Sequence, residues 1–159
     1  MFEKIRKMKN QKGFTLVELI VVLVILAILA AMLVPALTGY IDKANKQKIK
    51  AATRQVVMAA QTEISEAYSK GGLTTGTIVI EAEQPVPAGE VADIGNKIVV
   101  LAEVGSYGSS KYTLTNNIKK ITINYNDKGH VTSLILTQGE LHCKYDETKA
   151  DYEMVDSNP

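Results

Sequence analysis

From Leu19 to Leu37 the chain has no polar side chain, and from Phe14 to Leu37 only Thr15 and Glu18 interrupt the apolar run. At ~1.5 Å rise per residue, the uninterrupted part spans about 28 Å as a helix, close to the roughly 30 Å hydrocarbon thickness of a bilayer. A helix apolar on every side cannot be covered by one small soluble domain. The run therefore reads as a membrane span and not as a core helix.

Charge is distributed around this span in a telling way. The formal net charge is only +1, which points to neither nucleic acid nor a strongly charged substrate. Residues 1–13 nevertheless carry Lys4, Arg6, Lys7, Lys9 and Lys12 against the single acid Glu3. Residues 71–159 carry seven basic groups against twelve acids. A cationic start, an apolar segment and a mildly acidic bulk describe a membrane-targeted, exported chain. The single cysteine, Cys143, excludes an internal disulfide, so stability must come from a core or from assembly.

An ordinary secretory signal also begins with basic residues, and Ala27 to Ala31 resembles its small-residue cleavage site. Its apolar core needs only about 7–15 residues, however, and this run continues well past that site. An uncleaved membrane anchor is the other simple reading. Glu18 argues against both, because a carboxylate in an apolar helix is costly without a partner, and no lysine or arginine follows it within reach on the helix. Cleavage between Gly13 and Phe14 would create a partner. The freed α-amino group would be a cation about one turn from Glu18, available within one chain or between neighbours in a polymer.

The string Lys12-Gly13-Phe14-Thr15-Leu16-Val17-Glu18, followed by the apolar run, resembles the class III signal of type IV prepilins and pseudopilins. The resemblance covers about the first forty residues. It implies cleavage after Gly13 by a prepilin peptidase, N-methylation of Phe14, and pairing of Glu18 with the Phe14 amine of an adjacent subunit during assembly. It implies as partners further copies of the chain in a helical homopolymer, a pilus assembly platform, minor pilins and, before assembly, the membrane. Pro35 also fits, and its missing donor and clash with the Ala31 carbonyl predict a kinked or locally melted helix. One departure is Ala27, which stands where many relatives have a helix-breaking glycine. The absence of a C-terminal disulfide loop is closer to the Gram-positive pilins.

Beyond Tyr40 the pattern becomes amphipathic. Ile41, Ile49, Ala52, Val56, Ala59, Ala60, Ile64 and Ala67 recur at three- and four-residue steps, with Gly71-Gly72 as the stop. Glu63 breaks that face without an evident reason. Lys43, Lys46, Lys50 and Arg54 form a basic stripe, read either as a solvated or head-group-facing surface or as a contact for an acidic neighbour. A rod from Phe14 to Lys70 would be about 85 Å long, so its first half must project into lipid or other subunits.

After Gly72 the period shifts toward two. Thr77–Ala82 and Lys97–Glu103 are expected strands around the loop Pro85-Val86-Pro87-Ala88-Gly89. Ile118–Tyr125 and His130–Thr137 flank a turn at Asn126-Asp127-Lys128-Gly129, and Glu140–Tyr145 follows Gly139. Ile121, Ile123, Tyr125, Leu134, Leu136, Leu141, Cys143 and Tyr145 would form the buried face. Asp146–Pro159 reads as a polar segment that frays at its end. The expected fold is α+β: a leader over 1–13, a polymerisation helix over 14–40, and a globular domain over 41–159 with a helix at 41–70 laid on an antiparallel sheet. The resemblance implies the same lollipop.

No enzyme is expected. His142 and Cys143 would point to opposite faces of a strand, so no metal site is expected, and the acids between Asp127 and Asp156 read as solvated. No nucleophile–base pair, phosphate loop or cofactor motif occurs, and there is no Asn-x-Ser/Thr acceptor. The leading function is a structural subunit of a type IV pilus, serving motility, adhesion or biofilm growth outside the cell. The alternatives are a pseudopilin of a secretion or DNA-uptake machine and a membrane-anchored binding module that never polymerises. The module leaves Glu18 unexplained.

Overall fold

The structure is a computed structural model that describes residues 13–71, 73–85, 89–108 and 111–155. The expected leader except Gly13, together with Gly72, the centre of the proline-rich loop and the final four residues, lies outside the described residues. Two compact units divide the chain, Met1–Lys43 and Ala44–Pro159. Helix α1 (Leu16–Ser69) contributes to both. The remaining elements are β1 (Gly76–Glu81), α2 (Glu90–Leu101), β2 (Gly105–Tyr107), β3 (Tyr112–Leu114), β4 (Ile118–Tyr125), β5 (Val131–Gln138), β6 (Leu141–Asp146) and β7 (Asp151–Val155).

The fold is α+β. Strands β1, β4, β5, β6 and β7 form one antiparallel sheet in the order β1-β4-β5-β6-β7, and β2 pairs with β3. Register places the apolar positions in two rows across the sheet. One row runs Ile80, Ile121, Leu136, Cys143, Met154; the other runs Ile78, Ile123, Leu134, Tyr145, Tyr152. In the first row every residue but Met154 is buried, joined by Ile49, Val56, Ala60 and Ile64 of α1. The two rows lie two residues apart on each strand and so share one face, and Ile78, Ile123 and Leu134 of the second row are buried as well. The expected inner face is thus observed, with Leu141 and Tyr145 only half-buried at its margin.

The Asn126–Gly129 turn closes the β4–β5 hairpin. Asn126 Oδ1 accepts hydrogen bonds from the amides of Lys128 and His130, and Gly129 adopts φ 76°, which favours glycine. Gln61 of α1 clamps this turn from the side. Its Nε2 donates to the Gly129 carbonyl at 2.7 Å, and its Oε1 accepts from the Val131 amide at 2.9 Å.

One expectation is corrected. Lys97–Glu103 is not a strand, because α2 occupies Glu90–Leu101. Burial at Ala92, Ile94, Gly95, Ile98 and Val99 follows three- and four-residue steps, and packing of that face overrides the β-branched composition. Gly95 makes room for Tyr112, since a Cβ there would lie 2.9 Å from the tyrosine hydroxyl oxygen. The helix ends in a Schellman arrangement: the Val104 amide donates to Val99 O, the Glu103 amide to Val100 O, and Glu103 takes the left-handed φ of 55°. The closing segment also contributes a strand that was not expected, Asp151–Val155, which pairs with β6 as β7.

The helix also accounts for Glu63. Its carboxylate is mostly buried and lies 3.7 Å from Lys97 Nζ of α2. A charge on the packed side of α1 is therefore tolerated because a cation meets it there. Arg54 proves to be engaged within its own chain, its guanidinium carbon 5.0 Å from the centre of the Tyr152 ring, which in turn stacks on Tyr145.

Candidate assembly site at the N-terminal helix

Gly13, Phe14 and Thr15 precede α1 and are exposed. Thr15 is its N-cap. The Glu18 amide donates to Thr15 Oγ1 at 3.2 Å, while Glu18 Oε2 accepts from the Thr15 amide and the Thr15 hydroxyl, each at 3.4 Å. This reciprocal exchange is a capping box, which satisfies donors that a helix start otherwise leaves open. Its signature, a threonine followed three residues later by glutamate ahead of an apolar run, is present in the sequence, where reading Glu18 only as a charge overlooked Thr15.

The capping box changes the electrostatic problem posed by Glu18. The carboxylate already has hydrogen-bond donors from its own chain and sits at the positive end of a helix dipole. Among the described residues no basic group lies within 4.0 Å of it. Oε1 of Glu18 has no hydrogen-bond donor there either. Phe14, Glu18, Leu19 and Val22 line one shallow apolar hollow, so the phenylalanine lies on the side of the helix that carries the carboxylate. The N-terminal residues expected to act together are thus gathered within about one turn.

Beyond Glu18, the large apolar side chains from Leu19 to Ile41 are exposed within the chain. The most apolar 18-residue window of α1 has a mean hydropathy of 3.2, and the helix is long and apolar enough to cross a membrane. Pro35 lies inside α1, and the chain is helical on both sides of it, so the local melting considered from sequence is absent. Its ring nitrogen still offers no donor to the Ala31 carbonyl. Three residues on, Thr38 Oγ1 donates to Val34 O at 3.0 Å.

Elsewhere, Cys143 is fully buried beneath α1 as a free thiol. Burial pushes its ionisation above the ordinary thiol range, against the smaller opposing influence of the nearby Thr53 hydroxyl and the Lys50 and Arg54 charges.

A family model described as a prokaryotic N-terminal methylation motif matches residues 8–34. No solved structure matches the chain. The matched segment takes in the Gly13–Phe14 junction, the Thr15–Glu18 capping box and most of the apolar run. Signal and helix together support membrane anchoring before assembly, processing by a prepilin peptidase, and a structural rather than catalytic role. Residues 8–34 thus carry the class III signal of type IV prepilins, the N-terminal motif that pilins and pseudopilins share.

Proposed function

We propose that this chain is a structural subunit of a type IV pilus. It is exported as a single-pass membrane precursor with its C-terminal domain outside, cleaved after Gly13, methylated on Phe14 and polymerised through α1 into a fibre on the cell surface. The observation that carries this reading is the methylation motif over residues 8–34 leading into a helix whose large apolar side chains from Leu19 to Ile41 are exposed among the described residues. Polymerisation supplies that cover, with the helices of other copies replacing lipid around residues 14–40. Methylation keeps the positive charge of the Phe14 amine, so pairing with Glu18 of a neighbour is available in the mature chain.

Beyond Gly71 the described residues form one helix and seven strands, a substantial surface for a filament. That size favours a pilus subunit over a small pseudopilin of a DNA-uptake machine. Partners follow from the same reading: the peptidase, the assembly platform, minor pilins and further copies of the chain. Deleting its gene tests the assignment. Loss of long surface fibres, with the associated motility, adhesion or biofilm growth, is expected. A secretion or DNA-uptake defect in cells that never bore such fibres would instead identify a pseudopilin.

A further inference from the structure

Within Ala44–Pro159, charge is segregated on two flanks of α1. One flank packs beside α2, where Met58, Val100 and Leu101 remain 71%, 59% and 51% exposed. Acids border this apolar patch. Glu63, Glu66, Glu90 and Asp93 gather with Lys70 and Lys97, and Glu103 adjoins Met58 and Leu101. Lys70 is engaged by Glu66 at 2.5 Å and Lys97 by Glu63 at 3.7 Å. Among the described residues, Glu90, Asp93 and Glu103 therefore have no cation within 4.0 Å.

The opposite flank is basic. Lys46, Lys50 and Arg54 recur every four residues, and Arg54 rests on Tyr152 of β7. Arg54 and Glu63 are nine residues apart, which at 3.6 residues per turn is about two and a half turns, placing them on opposite sides of the helix. Neither Lys46 nor Lys50 has a carboxylate within 4.0 Å among the described residues.

We propose that the α1–α2 face is a subunit contact in the fibre, receiving the Lys46–Lys50 flank of a second copy of this chain. The proposal rests on the filament reading and specifies one of its contacts. An apolar centre with a charged rim is the anatomy of a specific protein contact. Two copies joined by the same acidic face would set Glu90 and Asp93 against their own kind, so charge opposes a closed two-fold pair. Acidic face against basic flank is instead a head-to-tail contact. Each copy then offers both halves, and the contact repeats without closing, which generates a helical fibre. The same acidity disfavours an anionic lipid surface as the occupant.

Zero-length carbodiimide cross-linking of sheared fibres from the full chain, read by peptide mass spectrometry, tests this contact directly. Links from Lys46 or Lys50 to Glu90, Asp93 or Glu103 between differently isotope-labelled copies are expected. Links from those lysines only to other acids, or none between copies, would overturn it. Charge reversal supplies the second arm. Lys46→Glu with Lys50→Glu should lower fibre yield about tenfold, as should Glu90→Lys with Asp93→Lys, and combining all four should restore it. Unchanged yield in either pair, or no recovery in the combination, would contradict the proposal where Cys143 stays protected from alkylation. If a pair exposes Cys143, the native cross-links decide. Fibres absent even from the native chain would overturn the filament reading itself, and this contact with it.

Discussion

Thr15 and Glu18 hold each other across the first turn of α1: the Glu18 amide reaches Thr15 Oγ1 at 3.2 Å, and Glu18 Oε2 accepts from the Thr15 amide at 3.4 Å. The Gly13–Phe14 bond lies one residue before this exchange, so cutting it leaves both partners in place. Glu18 is therefore a helix cap, and in the proposed fibre it is also the acid that an incoming amine would meet. In the precursor the cap offsets part of the cost of a carboxylate next to an apolar segment.

Substitution separates the two roles. Glu18→Gln keeps an acceptor for Thr15 but loses the charge, whereas Glu18→Ala loses both. Both variants are expected to be cleaved and to assemble poorly, but only Glu18→Ala should lose hydrogen-exchange protection in the first turn in detergent. Thr15→Val should weaken the helix start by about 1 kcal/mol, with Thr15→Ser restoring it. Normal fibre yield from Glu18→Gln would show that the charge is dispensable.

Gln61 ties α1 to the β4–β5 turn through two bonds to main-chain atoms. Gln61→Leu leaves the Val131 amide and the Gly129 carbonyl without that partner. A loss of about 1–3 kcal/mol is expected, measured as a lower denaturation midpoint of the detergent-solubilised chain. An unchanged midpoint would show that water replaces Gln61 fully.

Backbone handedness gives opposite expectations at two turns. Gly129→Ala introduces a Cβ 2.8 Å from Tyr68 Cβ at φ 76°, and should cost about 1–3 kcal/mol. Ala150, between β6 and β7, already holds a left-handed φ of 49°. Ala150→Gly should be neutral or stabilise by up to about 1 kcal/mol. Paired denaturation curves check the sign of each.

Alkali should unfold the domain. Burial raises the ionisation of Tyr112, Tyr125 and Tyr152 above the ordinary phenol range, and that of Cys143 above the thiol range. Each group favours its neutral form when folded. The stability this contributes is present below the unfolded values, about 8.5 for the thiol and 10 for the phenols, and is lost as pH rises through the folded ones. Stability measured from pH 8 to 11 should fall toward the upper end, and less steeply in Tyr112→Phe. At neutral pH Cys143 should resist alkylation until denaturant is added.

The legibility of these features in the sequence followed the range of the interactions. Strands β4, β5 and β6 are bounded by the Asn126–Gly129 turn and by Gly139 and face one core, so their bounds could be read to within a residue. Helix α2 could not, because Ile94, Ile98 and Val99 suit a strand locally and became helical through packing that includes Tyr112 over Gly95. Glu63 was opaque for the same reason, since its cation lies on that misread element. Strand β7 has polar positions at Asp151 and Glu153, and its pairing with β6 supplies the order that composition alone does not suggest. At the N-terminus the residue types and spacing were legible, but the reciprocal bonds of Thr15 appeared only with the geometry.

In the proposed pilus, cleavage after Gly13 produces the mature, polymerising chain. Intact-mass and N-terminal peptide analysis of protein from sheared surface fibres tests it most directly. A chain beginning at N-methylated Phe14 is expected; one beginning at Met1, or near Met32 after conventional signal cleavage, would contradict it.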